Sequence, residues 1–220
     1  MKNKIYIITP SSRFENLPSI KNSINFNKIY KWIIVYDSKH VSSKKKLFKD
    51  NDYIVELFCK DKQSVSGNAQ RNFALNFLNR KKNKNFYIYF LDDDNIIHKN
   101  FYRITDNIDK KKIYTFDQLR RSKMYFKKKF QYIKILKGNK IKKGIIDSAM
   151  FLADFSLINN IRWNKKNYDA DGDYIIKCFL KNKKFHEYIP QTSAYYNYFN
   201  KRLLKSYKNE IKQKLLNLFK

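Results

Sequence analysis

The first half of the chain alternates short apolar runs with stretches of helical periodicity. The apolar runs predict strands at 5–9, 32–36, 53–58 and 86–91, and the first of them is expected to stop at Pro10. Between them, apolar residues recur every three or four positions at 17–24 and 67–80, which predicts two helices. Strands that alternate with helices predict an α/β fold with a mostly parallel sheet, in which ligands bind beyond the carboxyl ends of the strands.

The second half is less regular. We expect strands at 113–116 and 185–189, a buried strand-like run at 145–153, and a helix at 174–180. The segment 119–130 is expected to be a basic helix or a flexible loop. From 202 onward, apolar residues at helical spacing alternate with lysines, which predicts an amphipathic basic helix. We therefore expect one domain over 1–200 and a basic C-terminal helix over 201–220, with no internal repeat.

The composition predicts a packed core. Of the 220 residues, 43% are hydrophobic and 17% are aromatic, which excludes a disordered basic tail as the main state. No apolar run approaches the length of a membrane span or a signal-peptide core, so we expect a cytoplasmic protein. Cys59 and Cys178 show no CxxC or Cys/His spacing, and we expect both to be reduced core residues.

The net charge of +29 first suggests a nucleic-acid partner, because lysine and arginine neutralise phosphates. Only 8 of the 48 basic residues are arginine, whereas base and phosphate readout favour its bidentate fork, so we expect no nucleic acid. The abundance of Lys, Asn, Ile, Tyr and Phe also fits an AT-rich genome. The charge is concentrated at 119–143, with 11 Lys/Arg and no acid, and at 199–220, with seven against one Glu. Both stretches are candidate contacts for an anionic partner, such as a membrane surface.

The sharpest motif is FLDDDN, in which Asp92, Asp93, Asp94 and Asn95 follow an apolar run. Adjacent carboxylates repel one another unless a cation or hydrogen-bond donors stabilise their charge. Oxygen ligands suit Mg²⁺ or Mn²⁺, which bind through one or two carboxylates together with substrate phosphates. The alternative is a solvated acidic turn. The position at the end of a strand favours a metal site.

Three motifs in this order resemble the nucleotide-sugar-dependent glycosyltransferases of GT-A fold, a Rossmann-like single domain. They are WIIVYDS at 32–38, GNAQRN at 67–72 and FLDDDN at 90–95. The chain is most similar to the animal β-1,3-glucuronyltransferase family, with small bacterial GT-A enzymes as a second resemblance. ITPSSR corresponds to the opening strand of that family, and GIIDSAMFLADFSLI to an acceptor-side segment. The resemblance covers about 5–176; the chain departs from it at Ser11, Ser12 and Ser66.

The resemblance implies a role for each of several residues. Asp37 would hold the uracil edge, Arg71 would contact the nucleotide, and Asp94 would be the direct metal ligand, with Asp92 beside it. Taken alone, Arg71 could be a helix-surface residue and Asp37 a strand-end cap. The nucleotide-sugar site implied by the resemblance comprises Pro10, Arg13, Asp37, Gly67, Arg71, Asp92 and Asp93.

An inverting transfer also needs a separate carboxylate that takes the proton from the acceptor hydroxyl. YDADGDYII supplies candidates just before an apolar helix; Asp173 fits the family spacing best, and Asp171 is the second choice. The alternative for both is a favourable interaction with the helix dipole. Asp147 lies inside an apolar run, which is costly unless it is paired, so we expect it to bind an acceptor hydroxyl.

These observations predict a metal-dependent, inverting glycosyltransferase that moves a sugar from a UDP-sugar to a glycan or lipid-linked glycan. The composition and the resemblance suggest a bacterial enzyme of surface-polysaccharide, capsule or lipooligosaccharide synthesis, with peripheral contact at the inner membrane face through its basic stretches. Two alternatives stay open at this stage. One is a nucleotidyl- or phosphotransferase with metal-bound aspartates, and the other is a basic nucleic-acid-binding protein.

Overall fold

The fold is taken from a computed structural model, which describes residues 3–37, 46–49, 51–61, 65–126 and 129–199. Only the backbone is described at 121–126 and 129–134. The predicted C-terminal helix over 201–220 lies outside the described residues. Within them, no helix is long and apolar enough to cross a membrane.

Nine strands and five α-helices make up the described chain. The strands are β1 Ile5–Ser11, β2 Lys31–Asp37, β3 Ile54–Cys59, β4 Tyr87–Phe90, β5 Ile96–Ile97, β6 Ile113–Phe126, β7 Lys129–Leu136, β8 Phe151–Asp154 and β9 His186–Tyr196. The helices are α1 Leu17–Ser23, α2 Asn68–Asn79, α3 Asn100–Thr105, α4 Phe155–Ile158 and α5 Ala170–Lys181. Short 3₁₀ turns span Phe14–Asn16, Ser148–Met150 and Lys183–Phe185.

All nine strands belong to one sheet, in the order β3-β2-β1-β4-β8-β6-β9-β5, with β7 paired to β6. The pairs β3-β2, β2-β1, β1-β4 and β6-β9 are parallel, whereas β8 runs antiparallel to both of its neighbours. Six strands (β1, β2, β3, β4, β6 and β9) therefore point in one direction. The prediction of a single α/β domain with a mostly parallel, Rossmann-like sheet is confirmed.

The apolar core lies on both faces of this sheet. Along β2, Ile33 and Val35 face the cluster under α2 and α5, whereas Trp32, Ile34 and Tyr36 face the cluster under α1 and α3. Because both faces are covered, the strand reads as a continuous apolar run rather than an alternating one. The buried thiols Cys59 and Cys178 are both free, as the sequence predicts.

The ends of β1 and β9 differ from the prediction for identifiable reasons. β1 continues through Pro10, which pairs in register with Val35, because proline keeps its carbonyl acceptor and its fixed φ fits the end of a strand. β9 has 11 residues instead of five, because it pairs in parallel with β6 along most of its length. Sequence periodicity does not report such long-range pairing.

The described residues of the basic segment 119–130 form neither a helix nor a flexible loop, so that prediction was wrong. The described part of it is strand, and β6 and β7 form an antiparallel ladder from Gln118–Leu136 outward. The sequence KFQYIKIL of β7 carries aromatic and β-branched residues that fit a pleated sheet. The predicted strand at 145–153 is also shorter, because Ser148–Met150 form a 3₁₀ turn before β8 begins.

Gly67 is the residue immediately before α2; it has a φ of +75° and lies directly against Pro10 near the end of β1. A Cβ atom at Gly67 would come within 2.6 Å of the Pro10 Cβ. Gly144 has almost the same φ, +74°, but a Cβ atom there would meet nothing within 4 Å. Both glycines therefore have a left-handed backbone conformation, but only Gly67 is closely packed against a neighbouring residue.

We predict that Gly67→Ala lowers the free energy of unfolding by roughly 2–4 kcal/mol, because it combines left-handed strain with a clash. Gly144→Ala adds only the strain and should cost about 1 kcal/mol. Denaturant unfolding of both variants measures the difference. Equal losses would show that α2 does not depend on its close approach to Pro10.

Candidate active site

The carboxyl ends of β1, β2 and β4 meet at one edge of the sheet and open onto a pocket of about 520 Å³. This is the edge at which open α/β sheets bind their ligands. The pocket is lined by Pro10, Ser11, Ser12, Arg13, Asp37, Val65, Ser66, Gly67, Gln70, Arg71, Asp92, Asp93, Asp94 and Tyr168.

Asp93 fixes the loop that follows β1. Its Oδ2 accepts the backbone N–H groups of Ser12 at 2.7 Å and Arg13 at 2.8 Å, while its own carbonyl accepts from the Asn16 side chain at 2.8 Å. Burial raises the pKa of Asp93 to about 6, although the Arg13 guanidinium and these N–H donors oppose the shift. Asp93 therefore has a structural task that the sequence does not reveal.

Asp94 lies beside Asp93 and pairs with the same arginine. The Arg13 guanidinium lies 2.6 Å from an Asp94 oxygen and 3.1 Å from Asp93, and 48% of its side chain is exposed. Burial and the nearby Asp92 raise the pKa of Asp94. Arg13 is thus an accessible cation held over two carboxylates at the pocket.

Arg71 is the buried counterpart, with only 2% of its side chain exposed. Its guanidinium donates to an Asp92 oxygen, lies 3.8 Å from Asp171, and stacks 4.5 Å above the Trp163 ring. Further donors reach the Ser66 carbonyl at 2.7 Å and the Asn68 side chain at 3.1 Å. Arg71 therefore ties the first turn of α2 to the end of β4 and to α5.

Behind the pocket, three carboxylates converge from different parts of the chain. One oxygen from each of Asp92, Asp147 and Asp171 lies within 4.8 Å of the other two. We call these three residues the aspartate cluster. Asp147 is held by the Ala149 N–H at 3.0 Å and the Gln118 amide at 3.1 Å, and the Ser148 hydroxyl lies 3.3 Å from Asp92.

Burial and nearby acids raise the pKa of two members of the aspartate cluster. The pKa of Asp147 lies well above its usual value because of burial and the neighbouring Asp171 and Asp92. Burial also raises the pKa of Asp171 to about 6, although Arg71 opposes the shift. A cation would remove this repulsion, since bound metals favour the charged form of carboxylates.

Close backbone packing brings α5 to the aspartate cluster. Gly172 lies so near to Lys143 that a Cβ atom on it would come within 2.8 Å of the Lys143 Cα. Asp171 and Asp173 are two residues apart in the first turn of α5, so they point to different sides. Asp173 contacts Lys143 at 3.4 Å and the Asn167 amide, whereas Asp171 enters the aspartate cluster.

The aspartate cluster could hold a divalent cation. Three carboxylates from separate elements offer oxygen ligands only, which is the chemistry that Mg²⁺ and Mn²⁺ prefer. Burial and the neighbouring acids raise the pKa of Asp147 and of Asp171, so these two groups do not readily ionise together without a counter-ion. The donor set therefore fits a hard divalent ion without distinguishing between these two metals.

The structure gathers most of the residues singled out from the sequence. Seven of them line the pocket, namely Pro10, Arg13, Asp37, Gly67, Arg71, Asp92 and Asp93, as does Asp94. Asp147 and Asp171 join Asp92 in the aspartate cluster, whereas Asp173 lies against Lys143 and Asn167.

Sequence reasoning missed Gln118, Gly172 and Tyr168. Gln118 and Gly172 give no local signal, because one acts across the sheet and the other through close packing. Tyr168 is 76% exposed and lies at the rim of the pocket, one residue before the acidic run DADGD. The buried Asn68 holds the loop before Tyr168 through the Asn164 carbonyl at 3.0 Å and the Asn167 carbonyl at 2.9 Å.

Comparison with known proteins adds little to this geometry. No protein-family model and no curated protein matches the chain. Among solved structures, HddC from Yersinia pseudotuberculosis is similar at 10% identity and a TM-score of 0.49, over 87% of this chain and 91% of that one. A putative glucose-1-phosphate thymidylyltransferase from Bacillus anthracis, in complex with a sucrose, is similar at 13% identity and a TM-score of 0.45, over 87% of each chain. A functional assignment therefore depends on the site itself.

The aspartate cluster predicts that the metal-free protein is less stable at neutral pH than in mild acid. Because the pKa values of Asp147 and Asp171 are higher in the folded state, the folded chain binds more protons, and this contribution to stability falls as the pH rises from about 4 through about 6. Asp147→Asn keeps the hydrogen-bond acceptor and removes the charge. We expect it to raise the free energy of unfolding by about 1–2 kcal/mol at pH 7.

Denaturant unfolding in EDTA between pH 5 and pH 7.5 measures this effect, with the exposed Asp52→Asn as the control. The gain from Asp147→Asn should grow with pH, whereas the control should follow the unmodified protein. A loss of stability in Asp147→Asn at every pH would mean that the Asp147 charge is stabilising and that the aspartate cluster is not under repulsion.

Proposed function

We propose that the chain is a metal-dependent, inverting glycosyltransferase of GT-A type that moves a sugar from a UDP-sugar to a glycan or lipid-linked glycan of a bacterial surface polysaccharide. The observation that carries this proposal is the aspartate cluster beside a pocket of nucleotide size at the carboxyl ends of parallel strands. Together, the aspartate cluster and the pocket provide a candidate cation site, a candidate nucleotide site and further carboxylates for proton transfer.

The pocket supplies the donor side. Asp37 ends β2 at the pocket, where a carboxylate can accept the imide N–H of uracil. Arg13 is the exposed guanidinium suited to a diphosphate. Arg71 is already engaged with Asp92 and Ser66, so we assign it to holding the aspartate cluster rather than to the nucleotide.

Of the three carboxylates that could hold a cation, only Asp92 also lines the pocket, so we assign Asp92 to the divalent cation, with Asp94 as the second pocket-side carboxylate. This assignment leaves Asp147 and Asp171 for the acceptor side. Mg²⁺ and Mn²⁺ bind through one or two carboxylates plus substrate phosphates, which matches this pair. When bound, the cation would neutralise the charge that develops on the departing diphosphate. Arg13, now paired with Asp94, would be freed to contact phosphate oxygens.

Asp171 is assigned to the acceptor side as the general base. It lies in the aspartate cluster but does not line the pocket, and its pKa of about 6 suits a base that works near neutral pH. It would take the proton of the acceptor hydroxyl as that oxygen attacks the anomeric carbon. Both hydrogen bonds that Asp147 accepts from described residues end on its Oδ1. Its Oδ2 would therefore orient the acceptor hydroxyl.

The loop after β1 favours glycosyl transfer over nucleotidyl transfer. A nucleotidyltransferase needs free backbone N–H groups or a lysine near the first strand to cradle a triphosphate. Here the N–H groups of Ser12 and Arg13 both donate to Asp93, and the chain contains only four glycines.

Paired substitutions in α5 test the proposal. Asp171→Asn should keep UDP binding within about twofold and should slow sugar transfer by at least 10²-fold, because general bases contribute about 10²–10⁴. Asp173→Asn changes the same residue type two positions away and should keep most of the activity. Release of UDP from a panel of UDP-sugars, measured with Mn²⁺ and Mg²⁺, reports transfer, while calorimetry with UDP reports binding.

The pH dependence provides a second readout. The rate at low substrate should fall as the pH drops below about 6, because Asp171 must be ionised to accept a proton. Loss of activity in Asp173→Asn alone would move the base to Asp173. Loss of metal-dependent UDP binding in Asp171→Asn would make Asp171 a metal ligand, and activity with nucleoside triphosphates alone would refute glycosyl transfer.

A further inference from the structure

A second cavity lies at the opposite end of the same strands. It also measures about 520 Å³, and it opens where β1 and β4 begin, near Lys4 and Tyr87. It shares no residue with the candidate active site. A ligand there would therefore be a separate one.

The rim of this cavity is strongly basic. Lys4, Lys81, Lys82, Lys110 and Lys111 surround it, and all five are exposed. Asp154 is the one acid in the lining, and its carboxylate already accepts the Lys111 N–H at 3.1 Å, the Ser156 N–H at 2.9 Å and the Ser156 hydroxyl at 2.6 Å. The lining thus carries a net positive charge, with five lysines against one carboxylate.

The five rim lysines differ from those lysines of the chain that lie beside an acid. Elsewhere, lysines near acids pair with them, as Lys28 does with Asp106 and Lys165 with Asp61. Within the part of the chain that the structure describes, no ion pair joins any of the five rim lysines to a carboxylate. Five unpaired cations around one cavity repel one another, and an anion would relieve that repulsion.

The floor of the cavity is formed by aromatic side chains that are almost closed to solvent, since Tyr6 and Phe86 are each 4% exposed. The Tyr6 ring lies 5.2 Å from Tyr30 and 4.7 Å from Phe86, measured between ring centroids. Lys4 sits 4.8 Å above the Tyr30 ring, and Lys81 lies 5.8 Å from the Tyr6 ring. The negative face of an aromatic ring attracts cations, so these rings help to hold the lysine ammonium groups at the cavity.

Amide side chains complete the lining, since Asn3, Asn83 and Asn85 border the same cavity. Amide groups both donate and accept hydrogen bonds, which suits hydroxyl groups. The combination of unpaired cations and amides matches a ligand that has a negative group and several hydroxyls. A sugar that carries a phosphate or a carboxylate has both.

We propose that this cavity, with Lys81 and Lys111 at its rim and Tyr6, Tyr30 and Phe86 at its floor, binds an anionic saccharide at a site separate from the candidate active site. The proposal stands independently of the proposed function, because it uses none of the residues assigned to catalysis.

The test is a titration of the full chain with glucose 6-phosphate and with glucuronate, followed by calorimetry and by amide chemical shifts around Phe86. Uncharged glucose and inorganic phosphate are the comparison ligands. We expect both anionic sugars to bind more tightly than either comparison ligand. Lys81→Ala/Lys111→Ala should weaken this binding by at least tenfold, whereas Lys181→Ala/Lys184→Ala, which removes the same charge from the surface near the end of α5, should not.

Three outcomes would overturn the proposal. They are the absence of shifts at the cavity with either anionic sugar, an equal loss of binding in both double variants, and equally tight binding of inorganic phosphate. Because the rim lysines are exposed, the variants are expected to fold, and thermal unfolding checks this. UDP release by Lys81→Ala/Lys111→Ala reports separately on the candidate active site, so failure at one site is distinguishable from failure at the other.

Discussion

The organisation of the candidate active site depends on one buried guanidinium. An arginine that is 2% exposed would cost several kcal/mol of unfolding free energy if it were unpaired. Arg71 is compensated by Asp92, Asp171 and the Ser66 carbonyl, and its flat face lies on Trp163. These contacts come from four separate parts of the chain. The helix that follows Gly67, the end of β4 and the first turn of α5 therefore have to assemble together.

The same pairing explains how acids can gather without a metal. Arg71 neutralises part of the charge of Asp92 and Asp171, and proton uptake by Asp147 and Asp171 removes more. Neither effect removes the repulsion completely, since the pKa values of Asp147 and Asp171 remain raised. The aspartate cluster is therefore poised to exchange protons for a cation, and metal binding should release protons near neutral pH. Functional sites that hold mutually repelling charges commonly lower the free energy of unfolding of the protein.

How far the sequence predicts this molecule depends on the range of each interaction. The core strands and the helix after Gly67 follow from local periodicity. The acids after β4 stand out because they are adjacent in sequence, so their mutual repulsion is visible without the fold. Gln118 against Asp147 and Gly172 against Lys143 join residues 29 apart, and nothing in the local pattern marks them. The β6-β7 hairpin was wrongly predicted to be a helix or a loop, because its stability comes from pairing with β9 and β8 as well as from its own sequence. Asp171 and Asp173 are similar candidates for the catalytic base by sequence. Only the helix geometry of α5, which directs their side chains to different sides, distinguishes them.

The central claim is that nucleotide and metal bind together at the Asp92 edge of the pocket. Calorimetric titration with UDP, in EDTA and then in Mn²⁺, tests it most directly. In the unmodified protein we expect the metal to tighten UDP binding by at least about tenfold, or ~1.4 kcal/mol. Asp92→Asn and Asp94→Asn should lose this gain while remaining folded by circular dichroism, and Asp52→Asn should keep it. Equal UDP affinity with and without metal, unchanged by either substitution, would contradict the account.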